Sequence, residues 1–163
     1  MSDLKLENVL MQSNGYCKIS GFSSSINFSQ RKKINGRIFL QKYPTVEYGA
    51  PDTSVDYAID FWALGILIYR ILSGYFPFST EIEIKTKEIR NLEELGVSEA
   101  TEVFILKLLT KDQNKRLGSK QNNKIKEDNF FQEIDFVKLE NMEIKAPYIP
   151  VAANNICKQY FCS

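Results

Sequence analysis

A chain of 163 residues, 44% of them hydrophobic, is long enough to close one globular core and too short for several. Its 21 Lys and Arg against 20 Asp and Glu leave a net charge of +1, which gives no electrostatic reason for a nucleic-acid or membrane partner. Histidine is absent, so any chemistry runs through carboxylates, lysine, hydroxyls or a bound cofactor.

The first residues carry Asp3, Lys5, Glu7 and Asn8 and end in the apolar pair Val9-Leu10, followed by Asn14-Gly15 and then Tyr16-Cys17-Lys18-Ile19. This pattern predicts two short strands joined by a tight Asn-Gly turn. From Ser24 to Pro44 the sequence is polar, basic and irregular, and its cluster Arg31-Lys32-Lys33, with Arg37 nearby, reads as a solvated loop. Ser54 to Gly74 is the most apolar stretch. Apolar residues from Ala58 to Leu72 fall on every face at helical spacing, interrupted by Asp60, Gly65 and Arg70, which predicts a helix buried nearly all round. Gly74 supplies a left-handed stop and Pro77 follows it. A run this short with charges inside it is a core helix, not a membrane span. A buried Asp60 then needs a partner, and backbone N–H groups of a neighbouring loop are the expected ones. Thr80 to Leu95 predicts one amphipathic helix with Ile82 and Ile89 inward. Ser98 caps a further helix to Leu109, with Val103, Leu106 and Leu109 on one face and Phe104 and Leu108 beside it.

Cys17, Cys157 and Cys162 make neither a metal-ligand set nor an even disulfide framework, so a reducing compartment is expected. The N-terminus has no signal-peptide core, and Cys162 lies too near the end for a prenylation box; cytoplasmic placement is the default expectation, with the nucleus left open.

Several motifs fit one family. Asp60-Phe61-Trp62-Ala63-Leu64-Gly65-Ile66-Leu67, followed by Ser73-Gly74-Tyr75-Phe76-Pro77-Phe78, resembles the central helix of the large lobe of eukaryotic protein kinases. Asp3 to Asn8 resembles the family's catalytic loop, H-R-D-L-K-x-E-N. The resemblance implies ATP and Mg2+ as cofactors, Asp3 as catalytic base, Lys5 as the cation on the moving phosphoryl group and Asn8 as a magnesium ligand. Asp, Lys and Asn on a loop also read as surface residues, and it is the distance to the next motif that selects the first reading. Pro44 to Asp52 resembles G-T-P-E-Y-x-A-P-E, which implies that Thr45 hydrogen-bonds Asp3 and Lys5. Lys111 to Gly118 resembles K-D-P-x-x-R-L-G, which makes Arg116 the buried ion-pair mate of Asp52. Phe130 to Pro150 is similar to the ending of the AGC group of serine/threonine kinases, and the cyclic-nucleotide-dependent and protein kinase C types look closest. The implied fold is mainly α: a partial large lobe over residues 1–140 with a small β-hairpin near the N-terminus, an AGC-type extension over 141–163, and the small lobe absent.

The departures from the family pattern are as informative. Gly21-Phe22-Ser23 stands where the family has Asp-Phe-Gly, so the main magnesium ligand is replaced by Gly21; loss of one such stabiliser costs at least ~3 kcal/mol in the transition state. Ser2 and Gln41 replace both halves of a phosphothreonine switch, while Ser24, Ser25 and Ser29 remain as loop serines. Glu7 matches a residue that binds a substrate arginine, but its acidic counterpart on the central helix is Arg70, which repels that arginine or is simply a snorkelling helix residue. No G-x-G-x-x-G occurs, so half the ATP cleft has no walls, and part of the central helix is expected to face water and to need a protein partner or the missing small lobe. The tail with Asn155, Ile156, Tyr160 and Phe161 has no family assignment. Three readings follow: a truncated, pseudokinase-like large lobe that binds a partner, part of an active serine/threonine kinase, or a decayed duplicate without function.

Overall fold

The apolar stretch forms a helix, α1, spanning Ala58–Ser73. Gly74 ends it at φ +78°, donating its N–H to the Arg70 carbonyl. The computed structural model describes residues 3–25, 38–39, 45–52, 54–55, 57–89, 92–119 and 124–151. Ser2, Ser29, Gln41, the Arg31–Lys33 cluster, Arg37, Cys157, Cys162 and the tail from residue 152 lie outside them. Ala58, Ile59, Trp62, Ala63, Ile66 and Leu67 of α1 are buried, whereas Ile71 and Leu72 are 60% and 42% exposed. Burial all round therefore fails in the last turn.

Helix α3, Glu99–Leu108, lies against α1. Ser98 caps it, its hydroxyl accepting the Thr101 N–H at 3.3 Å. Gly65 permits the close approach, since a Cβ there would stand 2.8 Å from the Leu109 side chain. The inward face is Phe104, Ile105, Leu108 and Leu109; Val103 and Leu106, expected inside, are 39% and 43% exposed. The arc is rotated because α3 is gripped from two sides. Ile105 and Leu109 face the α1 core, and Phe104 stacks on Phe130 with ring centroids 4.4 Å apart.

The expected single helix between Thr80 and Leu95 is shorter. Helix α2 covers Glu81–Thr86, begun by Thr80, whose hydroxyl accepts the Glu83 N–H at 3.2 Å while Glu83 Oε2 accepts the Ser79 N–H at 2.8 Å. Lys87 turns extended, its carbonyl taken by the Lys111 ammonium, and the helix stops. Ile84 fills the core and Ile82 is 73% exposed, the reverse of the expectation for Ile82; Ile89 packs on the core from beyond the helix end.

Strands β1 (Val9–Met11) and β2 (Cys17–Ile19) form the predicted antiparallel hairpin, with Val9 opposite Ile19, around Gly15 at φ +84°. A second two-stranded pair joins β3 (Ile38–Phe39) to β4 (Ser54–Val55). After α3 come Phe130 and Phe131, and then α4 (Phe136–Glu140), capped by Asp135. The chain then returns to the hairpin, where the Tyr16 hydroxyl donates to the Ile144 carbonyl at 2.5 Å. The result is mainly α, with one small hairpin near the N-terminus. No helix among the described residues is long and apolar enough to cross a membrane.

Candidate functional site

Residues 3–8 cross the N-terminal half of α1 and the turn at 45–48. Lys5 is extended; a 3-10 turn over Leu6–Asn8 then feeds β1 and returns the Asn8 side chain towards Asp3. A second 3-10 turn, Val46–Tyr48, begins at Thr45 and lies on α1. The two turns bring together side chains some forty positions apart. Lys5 Nζ lies 3.2 Å from Asp3 Oδ2 and donates to Thr45 Oγ1 at 3.2 Å, and the Thr45 hydroxyl donates to Asp3 Oδ1 at 3.4 Å. Asn8 Nδ2 donates to the Asp3 carbonyl at 2.7 Å and to Asp3 Oδ2 at 3.2 Å. Asp3 is thus a partly buried carboxylate held from three directions. It can accept a proton from a hydroxyl, while Lys5 beside it can neutralise an anion.

Gly21 sits against this group at φ +76°. A Cβ built on it would run into the Asn8 amide. Ser20 fixes the approach, its N–H donating to the Asn8 carbonyl at 2.8 Å. A magnesium ion does not fit these residues. Position 21 offers no carboxylate, a Cβ there would displace the Asn8 amide, and the Asn8 side-chain carbonyl oxygen left beside it brings no negative charge to hold a divalent ion.

Glu7 points away from that cluster. Its Oε1 accepts from Arg70 Nη1 at 3.2 Å, and hydrogen bonding to its backbone N–H, together with Arg70, holds the carboxyl below the usual carboxylate range despite slight burial. Arg70 also donates to the Tyr48 hydroxyl at 2.8 Å; that bond and Glu7 hold its pKa above the ordinary value. Tyr48 accepts the Leu6 N–H as well, at 3.3 Å. This buried tyrosine ties the 3–8 loop to α1, a role that sequence reasoning missed although Tyr48 lies inside a motif it used.

Asp60 lines a small cavity with Asp3, Leu4, Thr45, Tyr48, Ile59 and Ala63, and burial pushes its carboxyl above the ordinary range. Asp52 and Arg116 meet at 2.7 Å away from this cavity, on the side of α1 facing Thr110 and Lys111.

Comparison with known proteins places these features. The protein kinase domain family matches residues 1–131. A probable serine/threonine-protein kinase of Dictyostelium discoideum is 35% identical over 156 residues, covering 91% of this chain and 33% of that protein. Protein kinase C epsilon type of Oryctolagus cuniculus is 33% identical over 160 residues, covering 91% of this chain and 21% of its own length. G protein-coupled receptor kinase 4 of Rattus norvegicus is 30% identical over 175 residues, with 96% and 29% covered. The chain spans about a fifth to a third of the length of these relatives. The AGC-type resemblance read from the motifs stands with these matches.

Proposed function

The chain belongs to the protein kinase family, and from that premise we propose that it is a kinase-type large lobe, catalytically impaired, that acts by binding a protein partner. The family uses ATP and Mg2+. The observation that carries the reading is Gly21: a left-handed glycine packed on the Asn8 amide, which brings no carboxylate to the position and where a Cβ would push that amide aside. Asp3, Lys5 and Thr45 remain assembled, but position 21 supplies no carboxylate to hold a metal against a nucleotide's phosphates. The exposed apolar residues Leu10, Met11 and Ile19 on the hairpin and Ile71 and Leu72 on α1 support a partner-binding role for residues 1–140, with 141–163 as the AGC-type extension.

The same assembled Asp3–Lys5–Thr45 group favours a second reading, in which the chain is part of an active enzyme transferring the γ-phosphate of ATP to a protein serine or threonine, with Asp3 as base. Thermal unfolding of the purified chain with ATP, with and without Mg2+, together with a Mg2+-dependent phosphorylation assay, separates the two. The first reading expects no ligand-dependent shift and no transfer. A transition raised by ATP only with Mg2+, accompanied by transfer, establishes the second.

A further inference from the structure

Arg70 lies one turn before the end of α1, and three neighbours fix it. Its Nη1 donates both to the Tyr48 hydroxyl at 2.8 Å and to Glu7 Oε1 at 3.2 Å, and its Cζ sits 4.5 Å from the centre of the Phe76 ring. Those two bonds use both hydrogens of Nη1. A guanidinium has five N–H donors in a rigid planar fork, so Nε–H and the two Nη2 hydrogens remain. They have no partner among the described residues, and the Arg70 side chain is 27% exposed. The open edge is a pre-positioned pair of parallel donors, the geometry that a carboxylate or a phosphoryl group accepts with two oxygens.

We propose that Arg70 makes the face beside the 3–8 loop a receptor for an anionic peptide side chain, carboxylate or phosphoryl. Glu7 is already occupied by a cation from its own chain, so an incoming arginine finds its acceptor taken and a guanidinium in its way. The pair Glu7–Arg70 is close to neutral in sum, so selection comes from the aligned donors and not from a long-range field. The inference rests on the reading of the chain as a binding module and concerns what that module recognises.

The test is a fluorescence-anisotropy titration of the purified chain, without nucleotide or metal, against one labelled peptide scaffold carrying phosphoserine, aspartate, alanine or arginine at a single position. The phosphoserine or aspartate peptide is expected to bind about tenfold tighter than the alanine peptide, a difference of about 1.4 kcal/mol. The arginine peptide is expected to bind no better than alanine. Preference for phosphoserine alone identifies a phosphoryl ligand; equal preference for aspartate identifies a carboxylate-sized anion. Arg70→Gln should abolish the anionic preference, and Arg70→Lys, which keeps the charge without the fork, should recover only part of it. Glu7→Gln removes an exposed negative charge while keeping an acceptor oxygen, with little risk to folding, and should tighten anionic binding, so it decides the matter if Arg70→Gln loses its cooperative transition. Equal binding of all four peptides, no binding of any, preference for arginine, anionic preference surviving Arg70→Gln, or unchanged binding in Glu7→Gln overturns the proposal. Phosphoryl transfer in the separate ATP assay would overturn the binding-module reading without bearing on this titration.

Discussion

Asp52 Oδ2 and Arg116 Nη1 lie 2.7 Å apart with the arginine side chain fully buried and the aspartate side chain 10% exposed. No other buried charge among the described residues is as completely enclosed as Arg116. Its Nη1 also donates to the Ala58 carbonyl at the start of α1, Nε to Thr110 and Nη2 to Lys111, and its Cζ lies 5.0 Å from the Trp62 ring. The guanidinium therefore joins the segment after residue 49, the first turn of α1 and the loop after α3. Removing one member of such a pair strands the other. Arg116→Met should lower the stability of the chain by about 3–5 kcal/mol in urea denaturation. Arg116→Lys should recover little, because an ammonium cannot span the same carbonyls. A loss below about 1 kcal/mol would mean that the pair is solvated and the account wrong.

Gly21 yields a second prediction. Replacing it with aspartate restores the family's residue type, yet φ +76° carries a backbone cost, smaller for aspartate than for most side chains, and the new Cβ meets the Asn8 amide. Gly21→Asp should melt at a lower temperature than the parent and gain no stabilisation from Mg2+ with ATP. Adding Asn8→Ala should cost less in that variant than in the parent, because it relieves the clash. A Mg2+-dependent rise in the melting temperature of Gly21→Asp would falsify the claim that backbone and Asn8, and not merely the missing carboxylate, close the metal position.

The hairpin turn holds the segment after α4. Tyr16 donates to the Ile144 carbonyl, and a Cβ on Gly15 would strike the Tyr148 carbonyl and lie 2.5 Å from Ala146 Cβ. Gly15→Ala should push this segment off the turn, seen as faster tryptic cleavage after Lys145 with the core transition little changed. Tyr16→Phe should do the same more weakly, losing one hydrogen bond of about 1 kcal/mol. Unaltered cleavage in both variants would show that the segment is held elsewhere.

Local signals made some of this legible in the sequence. Helix α1 carries its period, its Gly74 stop and the following Pro77, and Ser98 marks the start of α3. Which arc of a helix faces inward is another matter. Val103 and Leu106 have the right spacing but lie outside because Phe130 and α1 grip α3 from other directions, and Ile82 lost its inward place to Ile84 when α2 ended at Thr86. The same division runs through the site. Asp3, Lys5 and Thr45 were found through motif spacing, and they do converge. The Tyr48 hub depends on Leu6 and Arg70 arriving from distant segments, which no local pattern records.

Two carboxylates should pull the pH dependence of stability in opposite directions. Asp128 has a side chain only 5% exposed, 2.7 Å from Lys107 and accepting the Phe130 N–H at 3.1 Å. Burial alone would raise its pKa, but Lys107 and that N–H together hold it below the ordinary value of 3.8. The folded chain then binds fewer protons than the unfolded one, so this contribution is complete above the ordinary carboxylate value and is lost as pH falls through the lower folded value. Asp60 is the reverse case. Burial raises its pKa above 3.8, so the folded chain holds the proton longer, and its contribution is greatest at low pH and shrinks as pH rises through the raised value. In urea midpoints measured from acid to neutral pH, Asp128→Asn should flatten the acid-side fall and cost about 1 kcal/mol at neutral pH, a figure kept small because Lys107 is half exposed. Asp60→Asn should lose its disadvantage relative to the parent, or gain on it, as pH rises above the carboxylate range. Parallel profiles for the parent and Asp128→Asn below the ordinary carboxylate pKa would show that the Lys107 pair contributes nothing to the acid limb.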